Sequence, residues 1–131
     1  KMTELRDRMT SARRSGRESN LLSYLVRPSC LIIDEVGHCE FDKENTRLFF
    51  DMVDRRYQKE GYSNMVFSSN RDPAQWKENF CENDALLCAL DRIFDDAVVF
   101  TIKGESFRGR KLETVALRTS TGSPADPQQA G

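Results

Sequence analysis

The sequence predicts an α/β fold, a parallel sheet with flanking helices, and three observations carry that reading. Cys30-Leu31-Ile32-Ile33 is an unbroken apolar run, as expected of a strand buried on both faces of a covered parallel sheet. A helical stretch separates it from a second candidate strand at 64–68, and a third follows at 97–102. Two consecutive strands joined by a helix make a right-handed crossover unit, which leaves both carboxyl ends on one edge. Those ends are polar: Asp34-Glu35 follows the first strand and Ser68-Ser69-Asn70 ends the second.

Adjacent carboxylates at the end of a buried strand are unusual, because isolated buried charge is costly. In open α/β sheets that end is also where ligands bind. The pair therefore suggests a site in which one carboxylate holds a metal and its neighbour handles a proton. The alternative is an apolar strand that reaches solvent and picks up two charges in its turn.

The 131 residues suffice for one domain with a core. A content of 38% hydrophobic and 31% charged residues reads as globular. The net charge of −1 gives no global reason to expect nucleic-acid binding. No apolar stretch approaches membrane-spanning length. Cys30, Cys39, Cys81 and Cys88 show no C-x-x-C spacing, and the single His38 cannot complete a usual zinc set. Reduced, buried thiols in a cytoplasmic protein are expected instead.

In chain order, residues 3–15 suit a helix with Thr3 as N-cap and Leu5, Met9 and Ala12 along one stripe. Gly16 interrupts it. A second helix is expected over Ser19–Arg27, ended by Pro28. Arg6, Arg8, Arg13, Arg14 and Arg17 make this region basic, either as a solvated face or as a DNA contact. Asp42 is a good N-cap for a helix over Lys43–Lys59, burying Leu48, Phe49, Met52, Val53 and Tyr57, with Gly61 just beyond. A short helix at 72–80 holds Trp76, expected as a packing anchor. The next, at 83–94, turns Leu86, Leu87, Leu90, Ile93 and Phe94 inward, with Arg92 in its last turn. Beyond about Arg110 the periodicity fades, and Ser, Thr, Gly, Pro and Gln predict a disordered tail over 109–131.

Taken in this order and spacing, the motifs resemble the AAA+ ATPases of the IstB-like transposition-helper and DnaC-like helicase-loader group, over residues 3–108. Leu31 to Gly37 resembles the Walker B strand, and Leu48-Phe49-Phe50 through Arg55-Arg56-Tyr57 the helix after it. Ser68-Ser69-Asn70 is similar to the sensor 1 strand end, and Trp76 falls where these proteins often carry tryptophan. Leu90-Asp91-Arg92-Ile93 resembles the arginine-finger segment, and Ile102 to Arg108 the closing strand with its Ser-aromatic-Arg ending.

The resemblance implies ATP and Mg2+ as cofactors, with Asp34 on the metal and the nucleotide. It implies Glu35 and Asn70 acting on the attacking water or terminal phosphate, Arg92 reaching a neighbouring subunit's nucleotide, and Arg108 as a second basic contact. Such arginine fingers are worth about 10³–10⁵ in rate in other systems. It also implies DNA, a transposase or a replicative helicase as partners, and a homo-oligomeric ring or helical filament. The G-x-x-x-x-G-K-[ST] phosphate loop that the group uses is absent from these residues. Residues 1–108 thus resemble the C-terminal half of a P-loop core. The family's strand order, 5-1-4-3-2, would leave the strand at 97–102 without its neighbour and expose apolar sheet. The lysine start suggests a truncated sequence, with Met2 as an alternative start. Two functional classes follow: the catalytic-carboxylate part of a DNA-dependent ATPase, or a non-enzymatic module that joins AAA+ assemblies through its Arg92 face.

Overall fold

Glycine and proline punctuate the helices that lead into the sheet. A computed structural model describes residues 1–81 and 84–104, with the backbone alone over 84–87. Helix α1 spans Met2–Ser15 and buries Met2, Leu5, Met9 and Ala12 as one stripe. It ends on Gly16, whose φ of 65° is the left-handed cap that glycine adopts without a Cβ penalty. The N-cap is Lys1 rather than Thr3, because the helix starts early enough for Glu4 to reach back to the Lys1 nitrogen. Helix α2, Glu18–Val26, stops before Pro28, and strand β1 follows at Cys30–Ile33.

Helix α3, Lys43–Gln58, starts where expected: the Asp42 carboxylate accepts from the Asn45 N–H at 2.7 Å. Leu48, Phe49, Met52 and Val53 are buried as expected. Tyr57 is not; it is 61% exposed, and Arg56 takes the inward position at 1% exposure. The guanidinium donates to the carbonyls of Leu25 (2.9 Å), Val26 (3.3 Å), Pro28 (3.0 Å) and Asn64 (2.9 Å). Arg56 therefore ties the end of α2 to the starts of both strands. Burial pulls its pKa down from the ordinary arginine value.

Strand β2, Asn64–Phe67, lies parallel to β1 with Cys30 opposite Asn64 and Ile33 opposite Phe67. Beyond it come a 3₁₀ turn at Pro73–Asn79 and helix α4 at Asp84–Asp95. Leu31, Ile33, Met65 and Phe67 face a core built by all four helices. Its centre is aromatic: Phe41, Phe49, Phe50 and Phe80 pack with ring centroids 5.1–5.8 Å apart. Trp76 is the expected packing anchor, seated between Phe67 and Phe94.

Three expectations are corrected here. Strand β1 is buried on one face only: Cys30 and Ile32 point away from the helices, and Ile32 is 67% exposed. A parallel sheet is buried on both sides only when helices cover both, and these helices gather on one. The thiols follow suit, since Cys39 is buried while Cys30, Cys81 and Cys88 are exposed; all four are free. The expected strand at 97–102 is neither helix nor strand. A strand needs a partner for its backbone groups, and the sheet among the described residues has the order β1-β2 alone.

Residues 1–98 form one compact unit, and beyond it Phe100 and Ile102 are exposed. Arg108, the proposed tail over 109–131 and the side chains of Leu86 and Leu87 lie outside the described residues. Among those described, no helix is long and apolar enough to cross a membrane.

Candidate functional site

The β1-β2 pairing continues past both strands and sets the polar residues side by side. Ser68 N–H donates to the Ile33 carbonyl (3.1 Å), and Val36 N–H to the Ser68 carbonyl (2.9 Å). The Ser68 hydroxyl donates to Asp34 Oδ1 and accepts from the Glu35 N–H at 3.3 Å. That hydroxyl, above all, holds the Asp34 carboxyl below its ordinary pKa; desolvation opposes it, and the Glu35 backbone and the charge of Lys1 add to the lowering. Asp34 is exposed and ionised at neutral pH.

Glu35 has a φ of 61°, left-handed backbone that a non-glycine residue rarely adopts. Its Oε1 accepts from Lys1 Nζ at 3.1 Å, and Met2 N–H donates to the Asp34 carbonyl at 2.8 Å. The start of α1 thus braces the carboxylate turn.

The loop from Gly37 to Phe41 is held by groups beyond β2. Asn79 Nδ2 donates to the carbonyls of Gly37 (3.0 Å) and Cys39 (3.1 Å), while Phe41 N–H donates to the Asn79 carbonyl (2.7 Å). Arg71 Nη1 donates to Asn79 Oδ1 (3.0 Å). The Ser69 hydroxyl donates to the Val36 carbonyl (2.6 Å) and accepts from Arg71 N–H and Trp76 Nε1. Gly37 has a φ of 94°, and a Cβ there would meet Arg71 Cδ at 2.8 Å, so glycine is required. At the loop's edge, His38 Nε2 lies 3.0 Å from Asn70 Oδ1.

The structure therefore brings Asp34, Glu35 and Asn70 into one hydrogen-bonded sheet end. It does not bring Arg92 there. Arg92 projects from α4 and pairs through Nη1 with Asp54 of α3 at 2.6 Å. Ser68 and Ser69 were visible in the sequence as polar residues at a strand end. Arg71 and Asn79 gave no signal, because nothing local marks a polar side chain that serves a loop thirty to forty residues away.

The donors at this sheet end suit magnesium. Mg2+ usually keeps several waters and takes one or two carboxylates plus substrate phosphates. An exposed, ionised Asp34 with Glu35 next to it fits that mode. Among the described residues no group of three or more His, Cys, Asp or Glu could cage a metal by itself.

Comparison with known proteins gives a consistent result. The chain is 29% identical over 116 residues to the insertion sequence IS21 putative ATP-binding protein of Pseudomonas aeruginosa, covering 88% of this chain and 43% of that protein. It is 31% identical over 108 residues to the IS5376 putative ATP-binding protein of Geobacillus stearothermophilus, covering 80% and 42% respectively. A similar protein of the insertion sequence IS232 from Bacillus thuringiensis is 31% identical over 108 residues, at 82% and 42%. The chain thus spans less than half the length of these curated relatives. The family model for IstB-like ATP binding proteins matches residues 1–114, and the chain belongs to that family.

Proposed function

We propose that these residues supply the carboxylate side of an ATP-hydrolysing site in a helper protein that assists a transposase on DNA. The observation that carries the reading is Asp34, held ionised by Ser68 and followed directly by Glu35 in a strained, braced turn at the strand end. In phosphoryl transfer the protein mainly positions groups and neutralises developing charge. Asp34 would hold magnesium through water, and the bound ion would screen phosphate charge. Glu35 orients the attacking water and accepts its proton. Asn70 contacts that water or the terminal phosphate. Arg92 and Arg108 act as basic contacts, Arg92 across a subunit boundary in a ring or filament.

The relatives' names support nucleotide binding and a link to insertion sequences; helicase loading has no such support. A non-enzymatic joining role is favoured by one observation, the exposed apolar face with Ile32 and Val66.

The test joins this chain to the part of the Geobacillus relative that the match leaves uncovered. Glu35→Gln should then keep ATP binding while turnover falls about 10²–10⁴-fold, the usual worth of a positioned base. Unchanged turnover would overturn the reading. The 131 residues alone, which hold no phosphate-loop motif, should show no submicromolar binding of a fluorescent ATP analogue.

A further inference from the structure

We propose that His38 is the positioning residue for Asn70, fixing its carboxamide so that both amide N–H groups face an anionic ligand. The inference rests on the reading of Asn70 as a contact to the terminal phosphate or the attacking water. His38 is the only histidine of the chain, and no expected role included it. It follows Gly37 in a loop whose carbonyls at Val36, Gly37 and Cys39 are all held by side chains from beyond β2. The imidazole is thereby delivered to Asn70 by a fixed backbone.

Asn70 Oδ1 faces His38 Nε2, and an amide oxygen can only accept, so this orientation pairs with the Nε2–H tautomer of the ring. The turned amide would pair with the Nδ1–H tautomer instead, so the tautomer reports which way the carboxamide points. With Oδ1 occupied, Nδ2 keeps two donors, and no other hydrogen bond among the described residues engages them. Two free N–H groups are what a phosphate oxygen or a water lone pair requires. A free asparagine would spend part of its time offering the oxygen, which an anion repels. His38 removes that orientation.

The single histidine makes the test direct. In this chain, ring nitrogen–proton correlations recorded near pH 8, where a neutral imidazole shows its tautomer, should report the Nε2–H form. Asn70→Ala should shift that signal toward a mixture. A dominant Nδ1–H form, or a signal indifferent to Asn70→Ala, overturns the proposal.

In the chain joined to the Geobacillus segment, His38→Phe should lower kcat about fivefold to tenfold, the worth of one ordinary hydrogen bond, with KM for ATP unchanged. His38→Gln, which keeps a side-chain N–H, should restore most of it, which a merely structural role would not predict. If His38→Phe is fully active while Glu35→Gln is dead, the positioning role fails and the site reading stands. If Glu35→Gln is fully active too, the site reading itself fails.

Discussion

The two faces of the β1-β2 pair show that cover, rather than residue type, decides what is buried. On one face Leu31, Ile33, Met65 and Phe67 lie under four helices, and even a guanidinium, that of Arg56, goes inside. On the other, Cys30, Ile32, Asn64 and Val66 meet solvent, although two of them are β-branched and apolar. An arginine is buried because four carbonyls await it. An isoleucine is exposed because nothing among the described residues lies over it. The carboxyl end of the sheet sides with the covered face, since its loops are tied by Ser68, Ser69, Arg71 and Asn79 from within the same chain.

If that contrast is right, the buried charge of Arg56 on α3 should matter more to stability than a large apolar residue on the bare face of the sheet. The largest effect is expected at Arg56. Arg56→Ala strips donors from the carbonyls of Leu25, Val26, Pro28 and Asn64. Buried polar groups left unpaired cost about 1–3 kcal/mol each where water cannot reach them, so a loss of about 3–5 kcal/mol is expected in urea unfolding. Arg56→Lys should recover only part, because one ammonium cannot span the fork. A loss under about 1 kcal/mol would mean that water replaces the guanidinium, and the covered face would be wetter than described.

Asn79 tests the sheet end. Asn79→Ala removes two donors to the site loop and the acceptor of Arg71, for a loss of about 2 kcal/mol. Faster hydrogen exchange should be confined to about residues 36–41, with the core helices as protected as before. Uniformly faster exchange would show that the loop is part of the core's cooperative unit and not a tied-on rim.

What the sequence revealed, and what it hid, follows the same line. The helices were legible because their signals are local: the 5-9-12 stripe of α1, Gly16, Pro28 and the Asp42 cap. The pair Asp34-Glu35 and the Ser68-Ser69-Asn70 end were legible as charge and polarity placed against an apolar run. The inward turn of Arg56 was not, because its partners are backbone carbonyls about thirty residues earlier and eight later. Tyr57 looked inward by apolarity alone. The bare face of β1 was hidden for a related reason: the run Leu31-Ile32-Ile33 suits burial on both faces, whatever covers it. The strand expected at 97–102 failed because its apolar run is a local signal, whereas a strand needs a partner for its backbone groups.

A smaller effect is expected at the cap that starts α3. Asn45 N–H, chiefly, and Arg13 hold the Asp42 carboxyl below its ordinary pKa. A carboxylate depressed in the folded state stabilises fully above its unfolded value, about 3.9. That contribution fades as pH falls through the lower folded value. Asp42→Ala should cost about 1 kcal/mol at neutral pH, with little from the Arg13 pair because solvent screens it. The gap between the two proteins should close in acid. A gap that persists at low pH would assign the cost to packing instead.

The smallest effect is expected at Ile32, and it bears most directly on the two faces. Ile32→Ser removes a large apolar side chain that is 67% exposed, so the 131-residue chain should change by no more than about 0.5 kcal/mol. Its neighbour Ile33, at 4% exposure, is the control. Ile33→Ala should cost about 2–4 kcal/mol from lost burial and the cavity left behind. One residue apart, the two substitutions read opposite faces in one urea experiment. Joining the chain to the segment of the Geobacillus relative that the match leaves uncovered then asks what lies over the bare face. If that segment packs there, the cost of Ile32→Ser should rise to about 1.5–3 kcal/mol, the worth of fully burying such a side chain. A cost of that size already in the 131-residue chain would mean a second copy covers the face. Its unfolding midpoint would then rise with protein concentration, and the bare face would be an interface.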